Sequence, residues 1–451
     1  MKERKWFIYG IGLSAVFAAL YATTQFSSFE DATWTKLFVL LTTILVGSVG
    51  LSFIFNTKQY VLNTARIFSG ILFIFSGFVK AVDPLGSKYK FIDYFEAWNM
   101  SFLDSWALTF GIILSTIEFV VGLALLFKIY TKYSSLLGLL FMIVFTPITM
   151  YLAFQQNITG KELVHDCGCF GDALVLTNWQ TFIKNLIILI PITIVFLYRK
   201  RVEDVLNPLR SMIVTSAFTI AVVGLSAYAL LHLPPIDFRP YKKGTLLVNG
   251  ACSEIAADEN SKTLMYAQFK NMQTGEKKEF EITESYPDYA LWQYDTTVAI
   301  RYEKIQLQPK TDSIQKPKQR TFVVDNLLFS KQGEDYTCEI IGDTSYVFLV
   351  VQYDVVHTNT KPQKQLNELF TWANEQGYTF YAATSSLNEL VEDYKQKHDV
   401  QYTYLDADDI PLKTIVRANP GLVLLKNGVV IDNWHGNDIP SIEEFKKVLI
   451  K

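Results

Sequence analysis

The chain has 451 residues, half of them hydrophobic, with a mean hydropathy of +0.19 and a formal net charge of −3. So small a charge over this length forms no basic tract, which argues against nucleic acid as a partner. Four cysteines are too few for a disulfide-built scaffold. An apolar part ends near residue 233 and a polar part follows, so we expect a polytopic α-helical membrane bundle with a soluble tail.

The apolar part contains runs that approach the roughly 20 residues needed to cross a bilayer. Lys2, Arg4 and Lys5 before the first run are also typical of a signal peptide, but its exit, YATTQFSS, has no clean cleavage site. Cleavage there would not change the orientation of the later helices. We predict about seven membrane helices, over residues 6–23, 37–55, 67–82, 106–127, 134–154, 182–198 and 212–233.

The distribution of lysine and arginine predicts the orientation of these helices. With a cytoplasmic N-terminus, the inner connections hold eleven basic residues and the outer side holds six, which is a positive-inside bias. The polar tail is then outside the cytoplasm, which in a bacterium is the oxidising periplasmic side of the inner membrane. The inner set is Lys2, Arg4, Lys5, Lys58, Arg66, Lys128, Lys132, Arg199, Lys200, Arg201 and Arg210, and the outer set is Lys36, Lys80, Lys88, Lys90, Lys161 and Lys184.

The stretch HDCGCFGD, between the fifth and sixth predicted helices, is the strongest chemical feature. A disulfide between Cys167 and Cys169 would close a very small ring, and Gly168 permits the backbone angles that such a ring needs. A strained disulfide is readily reduced by an incoming thiol, which suits an oxidant or a relay. The loop therefore predicts thiol–disulfide chemistry on the periplasmic side.

Charged neighbours of this loop act in opposite directions on a thiolate. His165, as imidazolium, would stabilise it, whereas Asp166 and Asp172 would oppose it. Two other interpretations of the loop stay open: a plain structural staple, and a metal site. His165 and the two cysteines supply only three ligands where a closed zinc site takes four, so we assign no metal.

Three charged residues lie within the predicted helices. Glu118 is near the middle of the fourth helix, where an ionisable group is by default a functional candidate. Lys80 is expected to extend its ammonium group to the interface. Glu118 and Lys184, if both face inward, would form a polar pocket beneath the Cys-Gly-Cys loop, able to pair with each other or to hold a quinone oxygen. Quinone is thus the only cofactor that the sequence suggests.

The tail is expected to contain a β-rich segment and then an α/β domain with the order β-α-β-α-β-β-α. Asn427–Gly428 predicts its hairpin and Ser441 with Glu444 predicts the cap of its last helix. The predicted organisation is two N-terminal helices (residues 1–60), a four-helix membrane domain with the loop (61–205), a seventh helix and linker (206–240), a periplasmic β-rich segment (241–320) and the α/β domain (321–451).

Cys252 and Cys338 lie in different segments of the tail. A disulfide that joins the two segments would explain both residues. They could also form a second redox pair that passes electrons to Cys167 and Cys169, or remain two buried thiols, since cysteine also behaves as a small hydrophobe. The sequence leaves these three interpretations open.

The α/β order and the segment ANPGLVLLKNGVVIDNWHG resemble thioredoxin, with Pro420 at the position of its cis-proline and Gly436 at that of its late glycine. Thioredoxin carries Cys-x-x-Cys after its first central strand, where this chain has DVVHTNTKPQ. The resemblance implies a thioredoxin-like domain without a dithiol of its own, suited to binding an extended peptide or holding a partner.

The membrane part resembles the DoxX and MauE group of small four-helix membrane proteins. The resemblance is carried by RIFSGILFIFSGFVKAVDPLGSKYKFIDYF, by STIEFVVGLALLF and by HDCGCFGDALVLTNWQTFIKN. It implies redox tasks at the cytoplasmic membrane, with MauE tied to maturation of a disulfide-rich periplasmic dehydrogenase subunit and DoxX to thiosulfate and quinone chemistry.

Three functions follow as hypotheses. The first is a membrane thiol–disulfide oxidoreductase, or an accessory factor, that acts on exported client proteins through Cys167 and Cys169. The second is a non-enzymatic, membrane-anchored scaffold whose inactive thioredoxin-like domain binds a periplasmic or membrane partner. The third is a transporter, for which Glu118 is a slight indication. Cycling of the two loop cysteines in cells would distinguish the first from the second.

Overall fold

The computed structural model describes residues 33–55, 59–160, 163–164, 166–249, 252, 261–282, 287–288, 291–294, 301–306, 320–324 and 327–449. The first predicted helix, residues 6–23, lies outside the described residues. So do His165 and the connector at residues 307–319.

The first part of the described chain is helical. Five helical segments within it are long and apolar enough to cross a membrane, which makes this a multi-pass membrane protein. The helix α1, predicted as the second span, contains a shorter apolar stretch, Val39–Val49. The helices are α1 (Thr33–Phe55), α2 (Tyr60–Val82), α3 (Pro84–Ala97), α4 (Ala107–Phe127, preceded by a 3-10 turn at Ser101–Trp106), α5 (Thr131–Thr159), α6 (Asn178–Leu197) and α7 (Pro208–Leu231).

Helices α2 and α4 are in unusually close contact because glycines line their seam. A Cβ atom on Gly77 would lie 2.5 Å from the Phe119 nitrogen, and one on Gly122 would lie 2.5 Å from the Ile74 nitrogen. Small residues allow membrane helices to approach at backbone distance. This seam fixes which side chains of α2 and α4 face each other.

Local capping determines where the helices beside the Cys-Gly-Cys loop begin. The Asp83 carboxylate accepts a hydrogen bond from the Gly86 nitrogen at 2.9 Å, and Pro84 occupies the first position of α3. Thr177 and Gln180 form a capping box at the start of α6. The loop is therefore held between a capped helix and the exit of α5.

The tail contains a mixed nine-stranded sheet among the described residues, in the order β6-β1-β13-β12-β9-β10-β11-β7-β8. Strands β9, β10 and β11 are parallel, and β12 and β13 form an antiparallel hairpin beside β9. The strands are β1 (Thr245–Val248), β6 (Arg320–Val323), β7 (Ser330–Lys331), β8 (Glu334–Asp335), β9 (Tyr346–Val351), β10 (Thr379–Thr384), β11 (Thr403–Asp406), β12 (Gly421–Lys426) and β13 (Val429–His435).

Alternation along the central strand divides the core into two layers. Val347, Leu349 and Val351 pack on one face of the sheet, whereas Phe348 and Val350 pack on the other. Helices cover both faces, so this sheet is buried on both sides. The helices of the tail are α8 (Thr337–Gly342), α9 (Gln363–Glu375), α10 (Asn388–His398), α11 (Asp409–Ile415) and α12 (Ile442–Leu449).

The predicted β-rich segment is divided between two sheets. Its first strand, β1, pairs with β13 and β6 of the large sheet. The strands β2 (Ser261–Asn271), β3 (Lys277–Glu281), β4 (Trp292–Tyr294) and β5 (Arg301–Gln306) form a separate antiparallel sheet around β2. The hairpin predicted between β2 and β3 is confirmed, with Gly275 at φ +74° in its turn.

Candidate functional site at the Cys-Gly-Cys loop

The loop between α5 and α6 brings its two cysteines together. Cys167 and Cys169 form a disulfide with their Cα atoms 5.5 Å apart, and both residues are partly exposed. Gly168 between them has φ +64°, a left-handed conformation that glycine adopts without steric cost. Its amide donates to the Asp166 carboxylate at 2.8 Å, which holds the turn. The disulfide thus lies at the end of the helical bundle and within reach of solvent.

Helix α3 covers one side of this turn. Lys90 forms an ion pair with Asp166 at 2.7 Å, and a Cβ on Gly168 would lie 2.8 Å from the Lys90 side chain. Burial alone would lower the pKa of Lys90, but Asp166 and then Asp93 outweigh it and raise that pKa above its ordinary value. Asp166 is therefore compensated by Lys90 rather than acting as a free negative charge beside the cysteines.

One arginine of the α/β domain binds to the same loop. Arg417 donates to Asp83 at 2.9 Å and to Asp172 at 2.7 Å, and its side chain is only 6% exposed. Burial works against the charged guanidinium, yet the two aspartates raise the pKa of Arg417 above its ordinary value. Burial raises the pKa of Asp172, and Arg417 opposes this rise. Asp172, which was predicted to act against a cysteine thiolate, is instead occupied in this contact.

Further contacts continue the interface on both sides of Arg417. The hydroxyls of Tyr89 in α3 and Tyr353 after β9 are 3.2 Å apart. At the end of α7, the Asn437 amide donates to the Leu231 carbonyl at 2.8 Å. The Asn419–Pro420 peptide bond, two residues after Arg417, is cis. The edge of the α/β domain that carries Pro420 thus faces the membrane domain.

A buried ion pair lies beneath the loop. The Lys80 ammonium is 2.7 Å from both carboxylate oxygens of Glu118, and their side chains are 8% and 1% exposed. The Ser76 hydroxyl is 2.8 Å from Glu118 and 2.7 Å from the Cys169 carbonyl, so its single proton can serve either acceptor. This chain of contacts connects the ion pair to the backbone of the Cys-Gly-Cys loop.

Lys184 is the third charged side chain of this region. It is 3% exposed, and its ammonium lies 4.5 Å from the centre of the Phe170 ring, a cation–π contact. Neighbouring Asn185 donates to Thr149 at 3.1 Å. Lys184, Glu118 and Ser76 all line one small cavity, together with Cys169.

One expectation about these charges needs correction. Lys80 does not extend to the interface: it is turned toward α4, where it pairs with Glu118. The condition set for a polar pocket is met, since Glu118 and Lys184 both line the cavity, and of the two options for Glu118 the structure has it paired with Lys80 and not with Lys184. The metal interpretation depends on His165, which lies outside the described residues.

The other two cysteines are also joined. Cys252 and Cys338 form a disulfide with an S–S distance of 2.02 Å and Cα atoms 5.2 Å apart. Cys252 is 3% exposed. In this state the pair links the β-rich segment to α8 at the start of the α/β domain and shares no contact with the Cys-Gly-Cys loop among the described residues.

Sequence reasoning missed Arg417, Lys90 and Ser76. Arg417 follows α11, a short helix that the predicted order left out, and its partners are 245 and 334 positions away. The only local indication was a charged residue just before the Asn-Pro pair. Ser76 lies one helical turn before Lys80, a spacing that places both on one face of α2.

A comparison with protein families finds a match over part of the chain. Residues 58–198 match the family described as methylamine utilisation protein MauE. The matched range covers α2 to α6 and the Cys-Gly-Cys loop, so the similarity to this family is confined to the membrane domain. No curated protein and no solved structure matches the chain.

Proposed function

We propose that this MauE-type membrane protein carries out thiol–disulfide exchange with exported client proteins through Cys167 and Cys169. The observation that supports this most directly is the position of their disulfide, partly exposed at the end of the bundle and above buried polar groups. A structural staple would need neither the access nor the polar groups. Exchange requires a thiolate that can reach one sulfur of the disulfide.

The proposed reaction balances without a further reactant. A client thiolate attacks one sulfur of the loop disulfide, forms a mixed disulfide and releases the other sulfur as a thiolate. The second client thiol then attacks the mixed disulfide. The client gains a disulfide and loses two protons and two electrons, and Cys167 and Cys169 gain them as a dithiol.

In this proposal the α/β domain is thioredoxin-like, and its role is to hold a client peptide close to the loop disulfide. Its strand order and the position of Pro420 before β12 fit that fold, and the residues after β9 contain no cysteine. Arg417 fixes the edge that carries Pro420 against Asp83 and Asp172, the latter three residues after Cys169. A peptide held at this edge would lie close to the loop disulfide.

The proposed location is the bacterial inner membrane, with the loop and the α/β domain in the periplasm. The support is the excess of lysine and arginine in the other connections. A periplasm-dependent reporter fused after Lys451 should be active, and one inserted between Lys128 and Lys132 should be inactive. The reverse pattern would contradict the periplasmic exchange reaction.

Trapping of mixed disulfides tests the exchange reaction. In Cys167→Ser or Cys169→Ser, the remaining thiolate can attack the disulfide of an oxidised client, which is the reverse of the proposed reaction, and releases one client thiolate as the mixed disulfide forms. No loop partner is left to complete the exchange, so the client should stay covalently attached and appear as a reductant-sensitive adduct. The double variant Cys167→Ser/Cys169→Ser is the matched control, since it leaves no thiol in the loop. Adducts in neither loop variant, with wild-type function in both, would refute the proposal.

A scaffold function is the second candidate, because the interface at Arg417 already holds the α/β domain and that domain has no dithiol in the thioredoxin position. On this account the loop variants would bind the same partner as the wild type, without covalent adducts. Arg417→Met would then lose the partner while the loop cysteines remained dispensable.

A further inference from the structure

A small cavity lies inside the membrane domain beneath the Cys-Gly-Cys loop. It is bounded by α2, α4, α5, α6 and the loop, and has a volume of ≈ 30 Å³. A bound water needs roughly 10–15 Å³ on this measure, so the cavity has room for about two waters. Its lining is Leu72, Phe73, Ser76, Glu118, Phe141, Met142, Phe145, Cys169, Phe170, Lys184, Asn185 and Ile188.

Lys184 brings open hydrogen-bond donors to this cavity. Within the part of the chain that the structure describes, its ammonium contacts the Phe170 ring and has no hydrogen-bond acceptor. The Glu118 carboxylate on the same cavity is already bonded to Lys80 and Ser76. A buried ammonium without an acceptor is costly, and a water in the cavity supplies one. That water can in turn donate a hydrogen bond to a sulfur on the cavity wall.

The two cysteines of the loop differ in their access to this cavity. Cys169 lines it and Cys167 does not. The Ser76 hydroxyl is 2.7 Å from the Cys169 carbonyl. The ring of the next residue, Phe170, packs edge-on against Phe75, with the ring centres 5.1 Å apart. Cys169 is therefore held against the cavity, through its own carbonyl and through the side chain that follows it.

The charges around the loop also distinguish the two cysteines. Other charged side chains that face the loop or the cavity are in ion pairs: Lys80 with Glu118, Lys90 with Asp93 and Asp166, and Arg417 with Asp83 and Asp172. Among the described residues, Lys184 is thus the cation on the cavity of Cys169 that has no anionic partner. A neighbouring cation stabilises a thiolate. We expect the Cys169 thiolate to be more stable than that of Cys167, which does not line the cavity.

We propose that Lys184, through a water bound in this cavity, stabilises the Cys169 sulfur as it leaves, so that an exported client attacks Cys167. The inference rests on the exchange reaction proposed above and states which sulfur takes part in each step. In the first step the bond between the two loop sulfurs breaks, its electron pair stays on Cys169, and the client sulfur bonds to Cys167. The second client thiol then attacks this mixed disulfide and releases Cys167.

The preference for Cys167 depends on the leaving sulfur. A thiol whose thiolate is more stable leaves a disulfide faster, so attack is fastest on the other sulfur. We take the ammonium to stabilise the Cys169 thiolate about tenfold. With a sensitivity similar to the Brønsted coefficient of about 0.4–0.5 for attacking thiols, this gives a roughly threefold preference for attack on Cys167.

The test identifies which cysteine a small thiol attacks. The purified full chain in detergent, with the loop disulfide intact, is mixed with 2-mercaptoethanol while iodoacetamide is present to alkylate the thiolate that leaves. Tandem mass spectrometry of the loop peptide then measures how often mercaptoethanol is on Cys167 and the alkyl group on Cys169, and how often the reverse. A small neutral thiol excludes effects of the client sequence.

We expect the wild type to carry mercaptoethanol on Cys167 at least three times as often as on Cys169. Lys184→Met should lower this ratio about threefold, and Leu72→Phe, which fills the cavity and leaves no room for the water, should lower it as well. Lys132→Met, on the exposed far end of α5, is the matched control and should keep the wild-type ratio. Elution volume and unfolding temperature in detergent check that the variants are folded, and the wild-type ratio tests the proposal without any variant.

The outcomes separate this assignment from the exchange reaction. A wild-type ratio near one, a preference for Cys169, or a ratio that Lys184→Met leaves unchanged would overturn the assignment, even if clients are trapped in cells. A preference for Cys167 that Lys184→Met lowers would support it, even if no client is trapped and exchange with exported proteins fails. A ratio that Lys184→Met lowers and Leu72→Phe does not would overturn the bridging water.

Discussion

Replacing Arg417 by methionine should release the α/β domain from the membrane domain. The substitution removes a side chain that is 6% exposed and leaves Asp83 and Asp172 facing each other without their cation. Methionine has a similar length and no charge, so the lost interaction is chiefly electrostatic. The tyrosine contact of α3 and the α7 contacts remain.

The exposure of the two aspartates determines how much docking free energy is lost in Arg417→Met. Removing one partner of a fully buried ion pair costs about 3–5 kcal/mol. Asp83 and Asp172 are 14% and 28% exposed, so solvent screens part of the loss. We expect about 2–3 kcal/mol, which corresponds to a roughly 30- to 140-fold shift toward the undocked state at about 1.4 kcal/mol per tenfold.

Amide hydrogen exchange measures this shift. Amides of α3 and of the loop that exchange only from the undocked state should exchange faster by the same factor, whereas amides of β9 and β10 should not change. Arg210→Met, at an exposed arginine of α7, is the control. Adding Asp83→Asn and Asp172→Asn to Arg417→Met should restore much of the protection. Unchanged exchange in Arg417→Met would show that this ion pair does not hold the domains together.

Three further predictions concern other parts of the structure. Lys80→Met should destabilise the bundle by about 3–5 kcal/mol, because it leaves the buried Glu118 carboxylate without its cation. The double variant Lys80→Met/Glu118→Leu should have a stability close to that of the wild type when unfolding is measured in detergent. Burial lowers the pKa of His435 below 6.5, with Asp438 opposing and His232 assisting. The stability from its neutral ring is therefore present above pH 6.5 and lost as the pH falls through the lowered value, and His435→Gln should flatten the unfolding profile between pH 7 and 5. Cys252→Ser should cost about 4–5 kcal/mol, seen in denaturant unfolding, because the disulfide joins positions 86 apart.

The sequence predicted elements whose cause is local. Apolar length indicated the membrane helices, and alternating or helical periodicity indicated β9, α9, β10 and α10. The hairpins at Gly275 and at Asn427–Gly428 follow from turn residues with positive φ. Each of these features depends on neighbours within one turn or one strand, so a single sequence contains the information.

Features that depend on distant packing were predicted wrongly or missed. Lys80 was expected at the interface because its position near a helix end permits that, but the rotation of α2 against α4 is set by glycines on both helices. Strand β11 and helix α11 were missed, since three aspartates and a proline interrupt the apolar residues of the segment YLDADDIPLK. Arg417 was missed for the same reason, because it lies just after α11 in the chain.

The charges beneath the loop allow a last prediction about the reduced protein. Lys80 compensates Glu118, so Lys184 leaves one uncompensated positive charge among the described side chains that line the cavity beside Cys169. This charge should favour the Cys169 thiolate, the form that reacts. After reduction, the rate of iodoacetamide labelling in Cys167→Ser should reach half its maximum at a higher pH when Lys184→Met is added. We expect a displacement of about one pH unit, or about 1.4 kcal/mol. That is well below the roughly 4 kcal/mol between unit charges 4 Å apart at an effective dielectric of 20, since the loop is partly exposed. Lys132→Met in the same background should leave the profile in place. A profile that Lys184→Met does not move would show that this charge does not act on Cys169, whose reactivity must then come from another neighbour.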